Sequence, residues 1–168
     1  PPALRPPPPL AGNGDGGVSL NIRKAQPRPG YIPKALKPGG YHALVIGNND
    51  YRFGVKLSTA VTDAREVAAL LQSRYGFKTT LLLNADRYQL LSAINRLRNE
   101  LTEKDNLLIY YAGHGALDEV NGRGYWLPVD AETNSNANWI PSWQITDLIN
   151  AMSAGQIMLV ADSCFAGT

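Results

Sequence analysis

The stretch Leu-Leu-Ile-Tyr-Tyr-Ala-Gly-His-Gly, residues 107–115, decides the fold of this chain. Its first six residues form a continuous apolar run, which is typical of a strand covered on both faces of a parallel sheet. A glycine, His114 and Gly115 follow the run directly. Ligands of open parallel sheets bind beyond the carboxyl ends of the strands. The stretch therefore predicts a buried strand that presents His114 at a functional edge.

A second apolar run, residues 157–161, has the same arrangement. Asp162, Ser163 and Cys164 follow it, so Cys164 is also predicted at the carboxyl end of a strand. Parallel strands end at the same edge of their sheet, and we therefore expect His114 and Cys164 to lie close together. Cys164 is the single cysteine of the chain, which excludes an internal disulfide, and two histidines with one cysteine are too few ligands for a structural zinc site.

Strands and amphipathic helices alternate through the rest of the sequence after residue 40. The predicted elements are strands at 43–46, 79–83, 107–112 and 157–161 and helices at 64–75, 90–101 and 142–152. Either Thr62 or Asp63 is a candidate cap of the first helix, and Gly76 is expected to end it. Residues 116–130 predict an irregular or hairpin excursion. The alternation predicts an α/β sandwich around a mostly parallel sheet.

Residues 1–40 differ in composition from the rest of the chain. They hold ten of the twelve prolines and seven of the sixteen glycines, with six Lys or Arg against one Asp. Such a segment buries too little apolar surface to offset its ordering entropy, so we expect a disordered tail or linker before a domain at 41–168. Its cations are scattered, and no nucleic-acid partner is expected.

The remaining composition is that of a globular protein. Hydrophobic residues make up 44% and charged residues 18% of the chain. Every apolar run is strand-sized and well below the roughly 18 residues that a membrane helix needs, so no membrane span is predicted. The sequence is compatible with a soluble protein, cytoplasmic or exported, and does not choose between these compartments.

The residues at the two strand ends suit nucleophilic catalysis. A cysteine attacks as the thiolate, and its ordinary pKa near 8.5 must be lowered by a neighbouring group for use at neutral pH. An imidazole such as that of His114 provides this effect and passes a proton to a leaving amine. The glycines beside His114 admit a substrate backbone, and the Gly115 N–H is a candidate donor to an oxyanion.

The two motifs, residues 110–115 and 162–167, resemble the signature motifs of the caspase clan, in the form typical of bacterial caspase homologues and metacaspases. His114 precedes Cys164 by fifty residues, and caspases carry their histidine about 50 residues before the cysteine. The resemblance covers about residues 41–168. It implies the large-subunit half of a caspase-like cysteine endopeptidase.

Carried onto this sequence, the resemblance implies that Cys164 is the nucleophile and His114 the general acid and base. The N–H groups of Gly115 and Cys164 would form the oxyanion hole. Asp63 and Asp162 match two pocket aspartates of metacaspases, which implies cleavage after Arg or Lys rather than after Asp. Ala60 and Ala112 depart from metacaspases, which have a cysteine and a serine at these pocket positions.

The resemblance also bears on metal ions. Metacaspases that need calcium use clustered aspartates, whereas the carboxylates of this excursion are scattered over Asp118, Glu119, Asp130 and Glu132. Calcium takes six to eight oxygen ligands, so a calcium requirement is not supported. We expect no metal site and no cofactor.

The sequence stops at Thr168, four residues after the nucleophile. By resemblance, a small-subunit segment is missing and would pair with the exposed last strand, and the other partner is a protein or peptide substrate. Two other function classes were weighed. A non-catalytic caspase-like signalling scaffold would not require both His114 and Cys164, and a flavodoxin-like binding domain would require a better phosphate cradle than residues 47–50 offer.

Overall fold

The computed structural model describes residues 39–163 and 165–167, the last three by their backbone alone. Residues 1–38 of the predicted tail or linker and the predicted nucleophile, Cys164, lie outside the described residues. In chain order the elements are β1 (Tyr41–Gly47), α1 (Ala60–Tyr75), β2 (Lys78–Leu83), α2 (Arg87–Glu100), β3 (Asn106–Ala112), β4 (Gly115–Asp118), β5 (Arg123–Trp126), β6 (Ile140–Pro141), α3 (Ser142–Asn150), β7 (Gln156–Asp162) and β8 (Phe165–Gly167).

Four parallel strands form the main sheet in the order β2-β1-β3-β7. Each crossover between them runs through a helix, as parallel pairing requires. The register aligns Ala112 at the end of β3 with Asp162 at the end of β7, so the two sequence motifs leave the sheet side by side. The predicted α/β fold around a mostly parallel sheet is confirmed.

Helices cover both faces of this sheet. On one face α1 packs its alanines, Ala64 and Ala68, against Ala43 and Val45 of β1. A side chain at Gly47 would place its Cβ atom 2.5 Å from the carbonyl oxygen of Ala60, so glycine is required where α1 crosses the strand end. The other face builds the larger core, which α2 and α3 cover with the residues Leu90, Ile94, Leu97 and Ile145.

The predicted excursion is a hairpin in a second sheet. Strands β4 and β5 pair antiparallel, and the second sheet has the order β6-β5-β4-β8. Gly122 turns the hairpin with a φ of 65°, in the left-handed region that favours glycine. Trp126 of β5 stacks on Tyr111 of β3, with ring centroids 4.3 Å apart, and this contact joins the hairpin to the core.

Of the two predicted ends of α1, one is confirmed and one is wrong. Gly76 ends α1 in the left-handed conformation, as predicted. The prediction that Thr62 or Asp63 caps α1 is wrong, because the helix begins earlier, after Thr59. The side-chain oxygen of Asn49 accepts the Val61 N–H at 3.2 Å, so the preceding loop satisfies an amide of the first turn.

The third helix is shorter than predicted and ends at Asn150 rather than Met152. At α2, Asp86 and Gln89 form a reciprocal capping box that was not predicted. Within residues 39–163, no helix has both the length and the apolar composition that crossing a membrane requires.

Candidate active site

The imidazole of His114 is held by a backbone carbonyl. His114 follows β3 directly, and its Nε2 atom lies 2.8 Å from the carbonyl oxygen of Val55. A carbonyl oxygen only accepts hydrogen bonds, so in this geometry Nε2 carries the proton. The neutral ring then has its lone pair on Nδ1, and this nitrogen is the one that can accept a proton as a general base.

The main chain of His114 is fixed as firmly as its ring. Its N–H donates to the Tyr51 hydroxyl at 2.7 Å, and its carbonyl accepts from the Tyr111 hydroxyl at 2.8 Å. The Leu127 N–H donates to the same carbonyl at 3.0 Å. The Tyr51 ring also packs against the imidazole, with centroids 4.6 Å apart.

Gly113 is required by this arrangement for steric reasons. A Cβ atom at this position would lie 2.8 Å from both the Tyr51 and the Tyr111 hydroxyl oxygens. Gly113 does not adopt a positive φ, so backbone conformation is not what selects glycine here. The glycine before the histidine therefore admits two phenols of the protein, whereas sequence reasoning had assigned the space to a substrate backbone.

The Gly115 N–H has a defined direction. Because the His114 carbonyl accepts from Leu127, it points towards β5. In a trans peptide the following N–H points the opposite way, towards the other edge of β4. Strand β8 pairs at that edge, with Phe165 opposite Gly115. The amide therefore points to the side of β4 where the chain emerges after Cys164.

The two aspartates that resemblance assigns to a pocket, Asp63 and Asp162, both affect one phenol. Tyr110 of β3 donates a long hydrogen bond of 3.4 Å to Asp162 at the end of β7. Burial raises the pKa of Tyr110, and the charges of Asp162 and Asp63 raise it further. Asp162 therefore contacts the Tyr110 hydroxyl directly, and Asp63 of α1 is near enough for its charge to act on the same group.

Tyr110 is a site residue that sequence reasoning missed. In the sequence, Tyr110 stands out only as part of the motif around His114, residues 110–115. Its signal was the period of two along a strand, which places Tyr110 on the same face as Ala112, the residue that pairs with Asp162.

A cleft of about 260 Å³ opens beside His114. Val55, Gly115 and Leu127 form part of its wall, and Glu132 and Trp139 complete it. Among the described residues, no group of three or more His, Cys, Asp or Glu side chains is placed to hold a metal ion.

Residues 41–168 match the family model of the caspase domain, and the chain belongs to this family. The human mucosa-associated lymphoid tissue lymphoma translocation protein 1 is 32% identical over 73% of the chain. Metacaspase-1 of Cryptococcus neoformans is 30% identical over 92% of the chain. The chain spans only 15% and 37% of the lengths of these two relatives.

A solved structure shares the fold. The crystal structure of a protein from Geobacter sulfurreducens superposes with a TM-score of 0.65, covering 77% of this chain and 52% of its own. The sequence identity to that protein is 24%, so the likeness concerns the fold.

Proposed function

We propose that this chain is the catalytic part of a cysteine endopeptidase in which His114 and Cys164 form the dyad. The observation that carries the proposal is the hydrogen bond of His114 Nε2–H to the Val55 carbonyl oxygen at 2.8 Å. It leaves Nδ1 as the basic nitrogen at the carboxyl end of β3, next to the strand that leads to Cys164. Membership of the caspase domain family supports the same assignment.

The proposed reaction uses the chain's own groups and requires no cofactor or metal ion. Nδ1 of His114 takes the Cys164 thiol proton, and the thiolate attacks the substrate carbonyl carbon. The N–H groups of Gly115 and Cys164 stabilise the resulting oxyanion. The imidazolium then protonates the leaving amine, the C–N bond breaks, and a thioester remains. Water attacks the thioester with His114 as base, which releases the acid product and restores the thiol.

For specificity, we propose cleavage after Arg or Lys. Asp162 accepts a hydrogen bond from Tyr110, the charge of Asp63 also acts on that hydroxyl, and two carboxylates bind a guanidinium by charge-assisted hydrogen bonds. A cation that neutralised either aspartate would weaken this pocket, and Arg123 of the excursion at 116–130 is a candidate. In the register of the hairpin, Arg123 of β5 faces Asp118 of β4. This position is at the far end of the ladder from Gly115, away from the carboxyl end of the main sheet.

We further propose that the catalytic domain occupies residues 41–168, behind a tail or linker at 1–40, and that a small-subunit segment completes it. In the described part of the chain, β7 pairs on one side only, with β3. Met158 and Leu159 of this edge strand are 61% and 43% exposed. An exposed apolar edge is a template for a further strand, so β7 is the place for the segment to pair.

A peptide electrophile tests the assignment. We would incubate the full-length protein with two matched acyloxymethyl ketone peptides, one with Arg and one with Asp at the reacting position. We expect covalent labelling of Cys164 by the Arg probe, located by mass spectrometry, and no labelling after His114→Ala. Absence of labelling by either probe, with the protein folded, would favour a non-catalytic signalling scaffold and defeat the proposal.

A further inference from the structure

Tyr51 holds the proposed catalytic histidine at more than one point. Resting on the proposed dyad, we infer that Tyr51 is a positioning residue, whose hydroxyl fixes His114 in the orientation that lets its imidazole take the proton of Cys164. Tyr51 is only 4% exposed, so the contact is shielded from water.

The contacts of Tyr51 restrict both the main chain and the ring of His114. The phenol oxygen accepts the His114 N–H at 2.7 Å, and the two rings lie 4.6 Å apart at an angle of 49°. Val55, four residues further along the same loop, accepts the Nε2–H at 2.8 Å. A single loop thus holds the histidine at its backbone, at its ring face and at the tip of its ring.

The loop itself is held in place from outside. Asn84 adopts a φ of 51°, and its side-chain oxygen accepts the N–H groups of Asn49 at 2.8 Å and Asp50 at 3.0 Å. Its side-chain nitrogen donates to the Asp50 carboxylate at 2.9 Å. The Arg52 N–H donates to the Val129 carbonyl at 2.9 Å on the other side of Tyr51. The position of Tyr51 is therefore set before any substrate binds.

Tyr51 acts by hydrogen bonding and not by proton transfer. Burial raises the pKa of its phenol, so the hydroxyl stays protonated at neutral pH. In the described residues, the other titratable groups around His114 are the Tyr111 phenol and the Glu132 carboxylate that lines the cleft. Burial raises the pKa of Tyr111 well above its usual value, so it too stays neutral.

Alkylation of Cys164 by iodoacetamide measures this positioning without a known substrate. The rate of alkylation is proportional to the fraction of the thiol that is present as thiolate. For an isolated thiol, the plot of this rate against pH has its midpoint near pH 8.5. For the full-length protein we expect a midpoint at least about one unit lower, read at the Cys164 peptide by mass spectrometry. Tyr51→Phe should raise the midpoint by about half a unit or more, because a displaced imidazole stabilises the thiolate less well.

The control is Tyr88→Phe, which removes the same hydroxyl from an 80% exposed position on α2 and should leave the midpoint unchanged. Peptide turnover gives a second measurement. We expect Tyr51→Phe to lower kcat about tenfold and to change KM less than about twofold, because the variant loses orientation and not substrate contacts.

A second variant keeps the test decisive if Tyr51→Phe does not fold. Asn84→Gly deletes the side-chain bonds to the loop and tolerates the φ of 51°, and it should shift the midpoint in the same direction. A parent midpoint near 8.5 would show that the dyad itself is wrong, and the inference would fall with it. A low parent midpoint that neither variant moves would overturn the inference and leave the dyad intact.

Discussion

The two strand ends that form the candidate site differ in how they are held. At the end of β3, His114 makes four hydrogen bonds: it donates to Tyr51 and Val55, and it accepts from Tyr111 and Leu127. At the end of β7, Asp162 is exposed, and its side chain accepts one long hydrogen bond of 3.4 Å from Tyr110. In the described residues, the histidine half is therefore held by more hydrogen bonds than the aspartate half.

The largest expected effect concerns the dyad that spans both halves. Cys164→Ala in the full-length enzyme should lower kcat/KM on an Arg peptide by about a thousandfold or more, and His114→Ala should be nearly as damaging, because the two act as one unit. The control is His42→Ala, which removes the other histidine at the opposite end of the main sheet. Turnover at the parent rate by the Cys164 variant would refute the enzyme assignment.

A substitution at Gly113 is expected to disturb the end of β3 that carries His114. Gly113→Ala places a methyl group 2.8 Å from two buried hydroxyls, and overpacking of this kind costs about 1–3 kcal/mol of unfolding free energy. We expect a lower Tm and a loss of kcat of about a hundredfold, because the displaced phenols no longer fix His114. Gly54→Ala is the control for stability, since its added Cβ atom meets nothing closer than 4.0 Å. An unchanged Tm for Gly113→Ala would contradict the described packing.

The aspartate half should govern the choice of substrate. At an effective dielectric near 20, a charge pair at about 4 Å contributes about 4 kcal/mol before further screening, so the parent should prefer Arg over Asp peptides by well over tenfold. Asp162→Ala and Asp63→Ala should each lower kcat/KM on the Arg peptide by about tenfold or more, and any small shift of the pH midpoint of alkylation should be downwards, because a negative charge is lost. The control is Asp147→Ala, on the exposed side of α3, which should change neither kcat/KM on the Arg peptide nor the pH midpoint of alkylation.

A preference for the Asp peptide, or an Arg preference that survives loss of both aspartates, would refute the pocket assignment. The dyad would stand in either case, because neither carboxylate takes part in the proposed proton transfers.

The smallest effect is expected at Tyr110. Tyr110→Phe removes a hydrogen bond that is already long, at 3.4 Å, so we expect a two- to fivefold rise of KM for the Arg peptide. The alkylation midpoint of Cys164 should not move, in contrast to the Tyr51 variant. A shift of that midpoint would show that the two halves are coupled through β3 and would remove the distinction drawn between them.

The elements that the sequence predicted correctly are those that depend on residues close together in the sequence. The run at 107–112 is apolar at every position because both faces of β3 are covered, and Gly76 ends α1 because only glycine tolerates its φ of 68° cheaply. His114 followed from the first of these patterns. Asp63 and Asp162 came from family resemblance, and their roles stay predictions.

The parts that were missed depend on contacts between distant residues. Tyr51 lies 63 positions before His114, and nothing in its local sequence indicates that its hydroxyl accepts that amide. The start of α1 was misplaced because Asn49 satisfies the Val61 N–H from outside the helix, where no capping pattern exists to read. Strand β8 has three residues, too few for a periodic pattern.

The contact of Gly113 with two phenols also limits how this site can change through descent. Any larger residue at 113 collides at once with hydroxyls from two separate elements, the loop before α1 and strand β3. No single replacement at Tyr51 or Tyr111 makes enough room, because the other hydroxyl remains 2.8 Å from the new atom. In this packing, a larger residue at 113 therefore requires both phenols to move. The packing of the two phenols thus selects glycine at position 113, whatever substrate the domain binds.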